Sequence, residues 1–157
     1  MRFYDDIMIG DRSELGSHTF QAEEIKAFAR KYDPQLFHVD EEAAKRSHFG
    51  GLIASGWHTA AVCMRHTVDG KNRDDDALRA AGEPVAVSGP SPGVRDVRWI
   101  KPVYPGDTIT FSSEIASKRE SSRPGYGLVV TATTGTNQRG EIVYSVQGAV
   151  FVERRPK

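Results

Sequence analysis

The chain reads as an α+β protein in which a mostly antiparallel sheet wraps one long buried helix. Three observations predict this. From Pro84 onward, β-type segments follow one another with no helix between them, so their strands pair antiparallel. The stretch from about Trp57 to Val68 is apolar nearly all round in its first half (Trp57, Ala60, Ala61, Val62, Cys63, Met64), the pattern of a buried helix. The 157 residues suffice for one domain with a substantial core and are too few for two, so a single domain over 1–157 is expected.

The elements follow in order. Residues 13–20 have loose strand character. From Ala22 to Tyr32, Ile25, Phe28, Ala29 and Tyr32 recur at helical spacing, with Gln21 a poor N-cap. Pro34 ends that helix, because proline lacks an N–H and drives the preceding residue toward an extended conformation. A loop over Asp33–Val39 leads to a short helix capped by Asp40, with Glu41 and Glu42 in its first turn. Phe49–Ile53 forms a flexible, glycine-bearing approach to Ala54-Ser55-Gly56 and the long helix. Asn72–Gly82, with Asp74, Asp75 and Asp76 in succession, reads as a solvated loop. Strands are expected over Val94–Trp99, Ile109–Ile115, Leu128–Thr134 and Ile142–Val152, the last apolar on both faces and a candidate central strand. Pro105-Gly106 suits a type II turn, and Asn137-Gln138-Arg139-Gly140 a hairpin connection.

Composition excludes several function classes. Lysine plus arginine (21) balance aspartate plus glutamate (21), so no overall field points to nucleic acid or a membrane surface. No apolar run reaches membrane-spanning length, and Met-Arg-Phe-Tyr-Asp-Asp is too polar for a signal peptide. One cysteine, Cys63, rules out an internal disulfide framework and fits a reducing compartment, so a cytoplasmic location is expected.

The most informative stretch is Asp33 to His38. Asp33 falls at the negative end of a helix dipole, where a cation would be favoured, and a residue at odds with its surroundings marks a candidate site. Weak stabilisation there is expected to raise the carboxyl's pKa toward that of a working base. Five residues on lies His38, the side chain whose ordinary pKa is near neutrality.

Phe28-Ala29-Arg30-Lys31-Tyr32-Asp33-Pro34-Gln35, Phe37-His38-Val39-Asp40 and Phe49-Gly50-Gly51-Leu52-Ile53-Ala54-Ser55-Gly56-Trp57-His58-Thr59 resemble the MaoC-like acyl dehydratases, relatives of the (R)-specific enoyl-CoA hydratases with a hot-dog fold. Trp99-Ile100-Lys101-Pro102-Val103-Tyr104-Pro105-Gly106-Asp107 and Asn137-Gln138-Arg139-Gly140-Glu141 look like the same family. The resemblance implies Asp33 and His38 as the catalytic pair, an acyl-CoA thioester as substrate and a homodimer or dimer-based oligomer. It implies no cofactor beyond the coenzyme A of the substrate. Where the family has Gly before the Asp and Asn-Pro before the apolar residue preceding the His, this chain has Tyr32, Gln35 and Leu36. Gln35 keeps an amide for a polar contact, whereas Tyr32 and Leu36 change backbone freedom and pocket shape.

Hydrating an α,β-unsaturated thioester requires deprotonating a water, delivering a proton to C2 and stabilising charge on the thioester oxygen. Asp33 and His38 supply the first two as a coupled pair, either one able to take the proton. The N–H of Gly56, at the positive end of the long helix, supplies the third, and glycine there admits close approach of substrate. Gln35, Ser55 and Trp57 are expected at the substrate, Ser55 as helix cap or pocket wall. Of Arg95, Arg98, Lys101, Arg119 and Arg123, one or two are candidates for the coenzyme A phosphates.

Competing readings are weaker. His38-Val39-Asp40 matches the start of a 2-His-1-carboxylate metal site with His48, His58 or His66, but Asp40 is better explained as a cap. Ser55 lacks the G-x-S-x-G setting of a hydrolase nucleophile, Cys63 reads as core, and His58 reads as a satisfied core histidine. Trp57 and Trp99 read as packing residues. A thioesterase on the same scaffold and a non-catalytic acyl-CoA-binding module are the alternative functions.

Overall fold

The computed structural model describes residues 1–156. Its strands are β1 (Arg12–Thr19), β2 (Gly93–Trp99), β3 (Thr108–Glu120), β4 (Tyr126–Asn137) and β5 (Ile142–Glu153). They form one sheet in the order β1-β3-β4-β5-β2, every pairing antiparallel. Helices α1 (Ala22–Tyr32), α2 (Leu36–Val39), α3 (Glu41–Lys45) and α4 (Gly56–Ala80) all fall between β1 and β2, so the helical segment carries the chain from one sheet edge to the other. Register shifts in all four pairings bend the sheet, as β-bulges do. Both edge strands consequently reach α4: Leu15 of β1 packs against Gly70, and Trp99 of β2 covers Gly56. Cys63 of α4 joins Leu15, Ile109, Phe111, Val143 and Tyr144 in the core between helix and sheet. This is the hot-dog arrangement. Phe3, Tyr4 and Ile7 pack a second cluster with Val129 and Val152.

Local chemistry explains the boundaries. Asp40 caps α3, its Oδ1 accepting from the Ala43 N–H at 2.9 Å, whereas Gln21 offers α1 no side-chain cap. Gly106 has φ +88° and Asp107 N–H donates to the Tyr104 carbonyl, the geometry of the expected Pro105-Gly106 turn. Asn137 and Glu141 close the expected hairpin.

Four expectations need correction. The polar run around Asp74–Asp76 is helical: α4 continues to Ala80, laced by Arg65–Asp69, Lys71–Asp75 and Asp76–Arg79 ion pairs and stopped by Gly82. Asp75 is buried rather than solvated. The first half of α4 is covered on one side only; Trp57, Met64 and Val68 face outward, because a single sheet reaches a single face. The 33–39 loop contains the single turn α2, and the middle of the sheet is β4, with β5 internal beside it.

Among the described residues, no helix is long and apolar enough to cross a membrane.

Candidate active site

Asp33 ends α1 as its C-cap, with φ −154° and its N–H bound to the Ala29 carbonyl. Pro34 forces this exit, which swings the carboxylate toward the amino end of α4. There the Ser55 hydroxyl donates to Asp33 Oδ2 at 2.7 Å while its oxygen accepts the Trp57 N–H at 3.2 Å. One buried side chain thus caps the helix and holds the acid. The Gln35 amide donates to the other oxygen, Oδ1, at 2.9 Å. Burial pushes the Asp33 carboxyl up, but the Ser55 and Gln35 hydrogen bonds and the nearby His38 more than offset it, leaving the pKa below the ordinary carboxylate value. The expected upward shift is therefore corrected. It considered only the negative end of α1, whereas the fold also sets Asp33 beside the cap of α4.

His38 is 4% exposed and lies on the α2 turn. Its Nδ1 is 2.8 Å from the Ile53 carbonyl. A carbonyl only accepts, so Nδ1 carries a hydrogen, and Nε2 is an acceptor in the neutral ring and a donor in the imidazolium. Nε2 lies 3.4 Å from Asp33 Oδ2. In the neutral form of the ring these two atoms are proton acceptors facing each other, an arrangement that a water donating to either one, or to both, would satisfy.

Both side chains open into a cleft of about 430 Å3. Gln35, Gly56 and Trp57 line it as expected, together with Phe37, Thr59, Trp99, Lys101, Val103 and Val143. Gly56 is the first residue of α4, where N–H groups lack intrahelical acceptors. A Cβ on Gly56 would lie 2.5 Å from the Trp99 indole, so glycine leaves room here for Trp99 to pack. Ser55 is fully buried and does not line the cleft; of its two expected roles, it is the cap and not the wall. Tyr32 and Leu36 also stand outside the cleft and face solvent, so neither side chain forms its wall as expected.

The rival sites separate. Asp40 is used as a cap, and His48, His58 and His66 pack on Phe49, Phe28 and Phe111 respectively. Among the described residues no cluster of three His, Cys, Asp or Glu is arranged to hold a metal. Cys63 is core, its thiol pushed up to about 11 by burial. His58 is core as expected but not satisfied: Nδ1 has no partner among the described residues, and burial lowers its pKa. A second cavity, of about 480 Å3, lies near the other end of α4 beside Leu15, Gly70 and Leu78, away from the pair.

Sequence reasoning missed the Ile53 carbonyl and Thr59. Nothing in a sequence advertises a backbone acceptor, but Thr59 lies four residues after Ser55 and hence on the same helix face.

An acid and an imidazole meeting at the amino end of the central helix of a hot-dog fold define the class of protein. Residues 9–137 match the model of the MaoC like domain, and the chain belongs to that family. It is similar in structure to the MaoC-like dehydratase from Rhodospirillum rubrum, with a TM-score of 0.80 and 38% identity over 100% of both chains. It is 29% identical over 150 residues to the uncharacterized protein YdeM of Bacillus subtilis (strain 168), covering 96% of this chain and 98% of that one. A 90-residue stretch, 57% of this chain, is 40% identical to part of the mesaconyl-CoA hydratase of Cereibacter sphaeroides and covers 24% of that protein.

Proposed function

We propose that the protein adds water across the double bond of a trans-2-enoyl-CoA and runs the reverse dehydration of a 3-hydroxyacyl thioester. Family membership and the similarity to a mesaconyl-CoA hydratase support hydratase or dehydratase chemistry. The observation that carries the reading is the pairing of Asp33 Oδ2 with His38 Nε2, 3.4 Å apart beside the amino end of α4.

A water held between them donates a proton to one acceptor as its oxygen bonds to C3. The electrons of the C2–C3 double bond move to C2 and the thioester oxygen, where the Gly56 N–H and the α4 dipole stabilise the charge; one such donor is typically worth about 3–4 kcal/mol. If His38 takes the proton, the imidazolium is paired with the Asp33 carboxylate and returns the proton to C2. Hydroxyl and hydrogen then arrive from the same face, a syn addition. The resemblance noted from sequence points to the (R) product.

A dimer is part of this reading. Trp57 (60% exposed), Met64 and Val68 make an outward apolar face on α4, continued by Trp99 and Ile100 beside the cleft. Edge strand β2 is unpaired on its outer side. A second copy on a two-fold axis would cover both and put the cleft at the seam. Among the described residues Lys101 is the one lysine or arginine lining the cleft, which makes it the candidate among the basic residues for a coenzyme A phosphate.

Purified protein incubated with crotonyl-CoA should lose the absorbance of the conjugated enoyl group without releasing free thiol, and light scattering should give a dimer. Thiol release would install the thioesterase instead. Binding without turnover on any chain length would leave only the acyl-CoA-binding module, and a monomer would remove the dimer.

A further inference from the structure

The cleft is closed at depth. Thr59, Val103 and Val143 line it and are almost fully buried, and behind them Leu15, Cys63, Phe111 and Tyr144 pack as core. The cavity beside Gly70 and Leu78 lies past Cys63 on α4 and shares no lining residue with the cleft. The walls that this chain supplies enclose about 430 Å3 for the thioester and the acyl chain. That favours short chains.

Thr59 adds a chemical preference. It is 2% exposed, and its N–H donates to the Ser55 carbonyl at 3.2 Å. Its hydroxyl has no hydrogen-bond partner among the described residues, although a helical threonine can donate to the carbonyl four residues back. Thr67, two turns along, does this, its Oγ1 donating to the Cys63 carbonyl at 2.9 Å. Among the described residues only His58 Nδ1 and Asp75 Oδ1 are fully buried side-chain polar atoms without a hydrogen-bond partner, so the unpaired Thr59 hydroxyl is open to the cleft rather than sealed in the core. It shares the cleft wall with the apolar Val103, Val143 and Phe37.

Resting on the hydratase reading, we propose that Thr59 determines substrate specificity, its hydroxyl hydrogen-bonding an oxygen carried by a short acyl chain. The substrate class is then a four- or five-carbon enoyl thioester bearing a hydroxyl, carbonyl or carboxylate, in preference to a plain alkyl chain. A site that hydrogen-bonds a substrate oxygen discriminates strongly against the analogue lacking it, because the buried partner is left unpaired.

The test compares kcat/KM for crotonyl-CoA, 4-hydroxycrotonyl-CoA, mesaconyl-CoA and trans-2-decenoyl-CoA in the wild type, Thr59→Val and Thr59→Ser. In the wild type, at least one oxygen-bearing thioester should exceed crotonyl-CoA by about tenfold or more, with decenoyl-CoA the poorest. The two oxygen-bearing substrates distinguish a hydroxyl from a carboxylate. Thr59→Val should cut the ratio of the preferred substrate to crotonyl-CoA by about tenfold, and Thr59→Ser should retain it. Using the ratio divides out any general loss of active protein, and if Thr59→Val does not fold, the wild-type order and Thr59→Ser decide. Decenoyl-CoA matching or exceeding the short substrates, a wild type with no preference for oxygen, or an unchanged ratio in Thr59→Val each overturns the inference while leaving the hydratase reading intact. Failure to hydrate any of the four overturns both.

Discussion

Two carboxylates are shielded against the two ends of α4, and their surroundings are opposite. Asp75, 3% exposed, meets the Lys71 ammonium at 2.6 Å and the N-terminal amine of Met1. Asp33 is held by neutral donors, the Ser55 hydroxyl and the Gln35 amide, and faces the His38 Nε2 at 3.4 Å. Asp75 is neutralised by cations on the spot, so its charge is used up in holding the C-terminal half of α4. Asp33 keeps its charge through dipoles and remains next to an open cleft, able to accept a proton or to steady a cation formed beside it. Residue type does not separate a structural acid from a reactive one here. The charge of the partners and the open cleft beside Asp33 do.

The sharpest way to break that contrast is Asp33→Asn, which keeps the shape and removes the charge. Hydration of crotonyl-CoA should fall by about 10²–10⁴-fold while the thermal melt stays cooperative. A loss below about tenfold would make Asp33 as structural as Asp75. The reciprocal change, Asp75→Asn, should cost about 1.5–3 kcal/mol in urea unfolding, the usual loss for a hydrogen bond to a charged group, with kcat unaltered. A matching loss of kcat would show that the two ends of α4 are coupled. The smallest effect belongs to Ser55→Ala, which removes both the helix cap and one support of Asp33. Stability should drop by about 1 kcal/mol. The Asp33 pKa should rise, since a hydrogen bond that lowers it is gone. Because the pair works with Asp33 ionised, activity is lost as pH falls through that pKa, so the acid limb of the kcat/KM profile should move to higher pH. An unmoved limb would assign it to another group.

Much of this was legible from residues. Pro34 announced where α1 ends and therefore where Asp33 sits, and Asp40 announced α3. The alternation along Ile109, Phe111, Ser113 and Ile115 marked a strand face on which Ile109 and Phe111 become core. The second half of α4 was not recognised, because three adjacent aspartates resemble a solvated loop by composition. The Lys71–Asp75 spacing and Gly82 carried the helical signal that composition obscured. The α2 turn had no signal of comparable strength. It is four residues long, and His38 within it is tied to a carbonyl fifteen positions away.

Sequence alone determined the strands, both ends of α1 and the starts of α3 and α4, and it singled out the acid and imidazole whose local setting looked wrong for structure alone, since each follows from periodicity, capping or proline sterics acting within a few residues. Tertiary structure decided the rest: that Ser55 holds Asp33, that the Ile53 carbonyl turns His38 Nε2 toward Asp33, that Gly56 yields its side-chain space to Trp99, and that Thr59 turns to the cleft a hydroxyl unpaired among the described residues. Those properties belong to pairs of groups distant along the chain. Hydrogen-bond direction and electrostatic sign do not exist for such a pair until folding brings its members together.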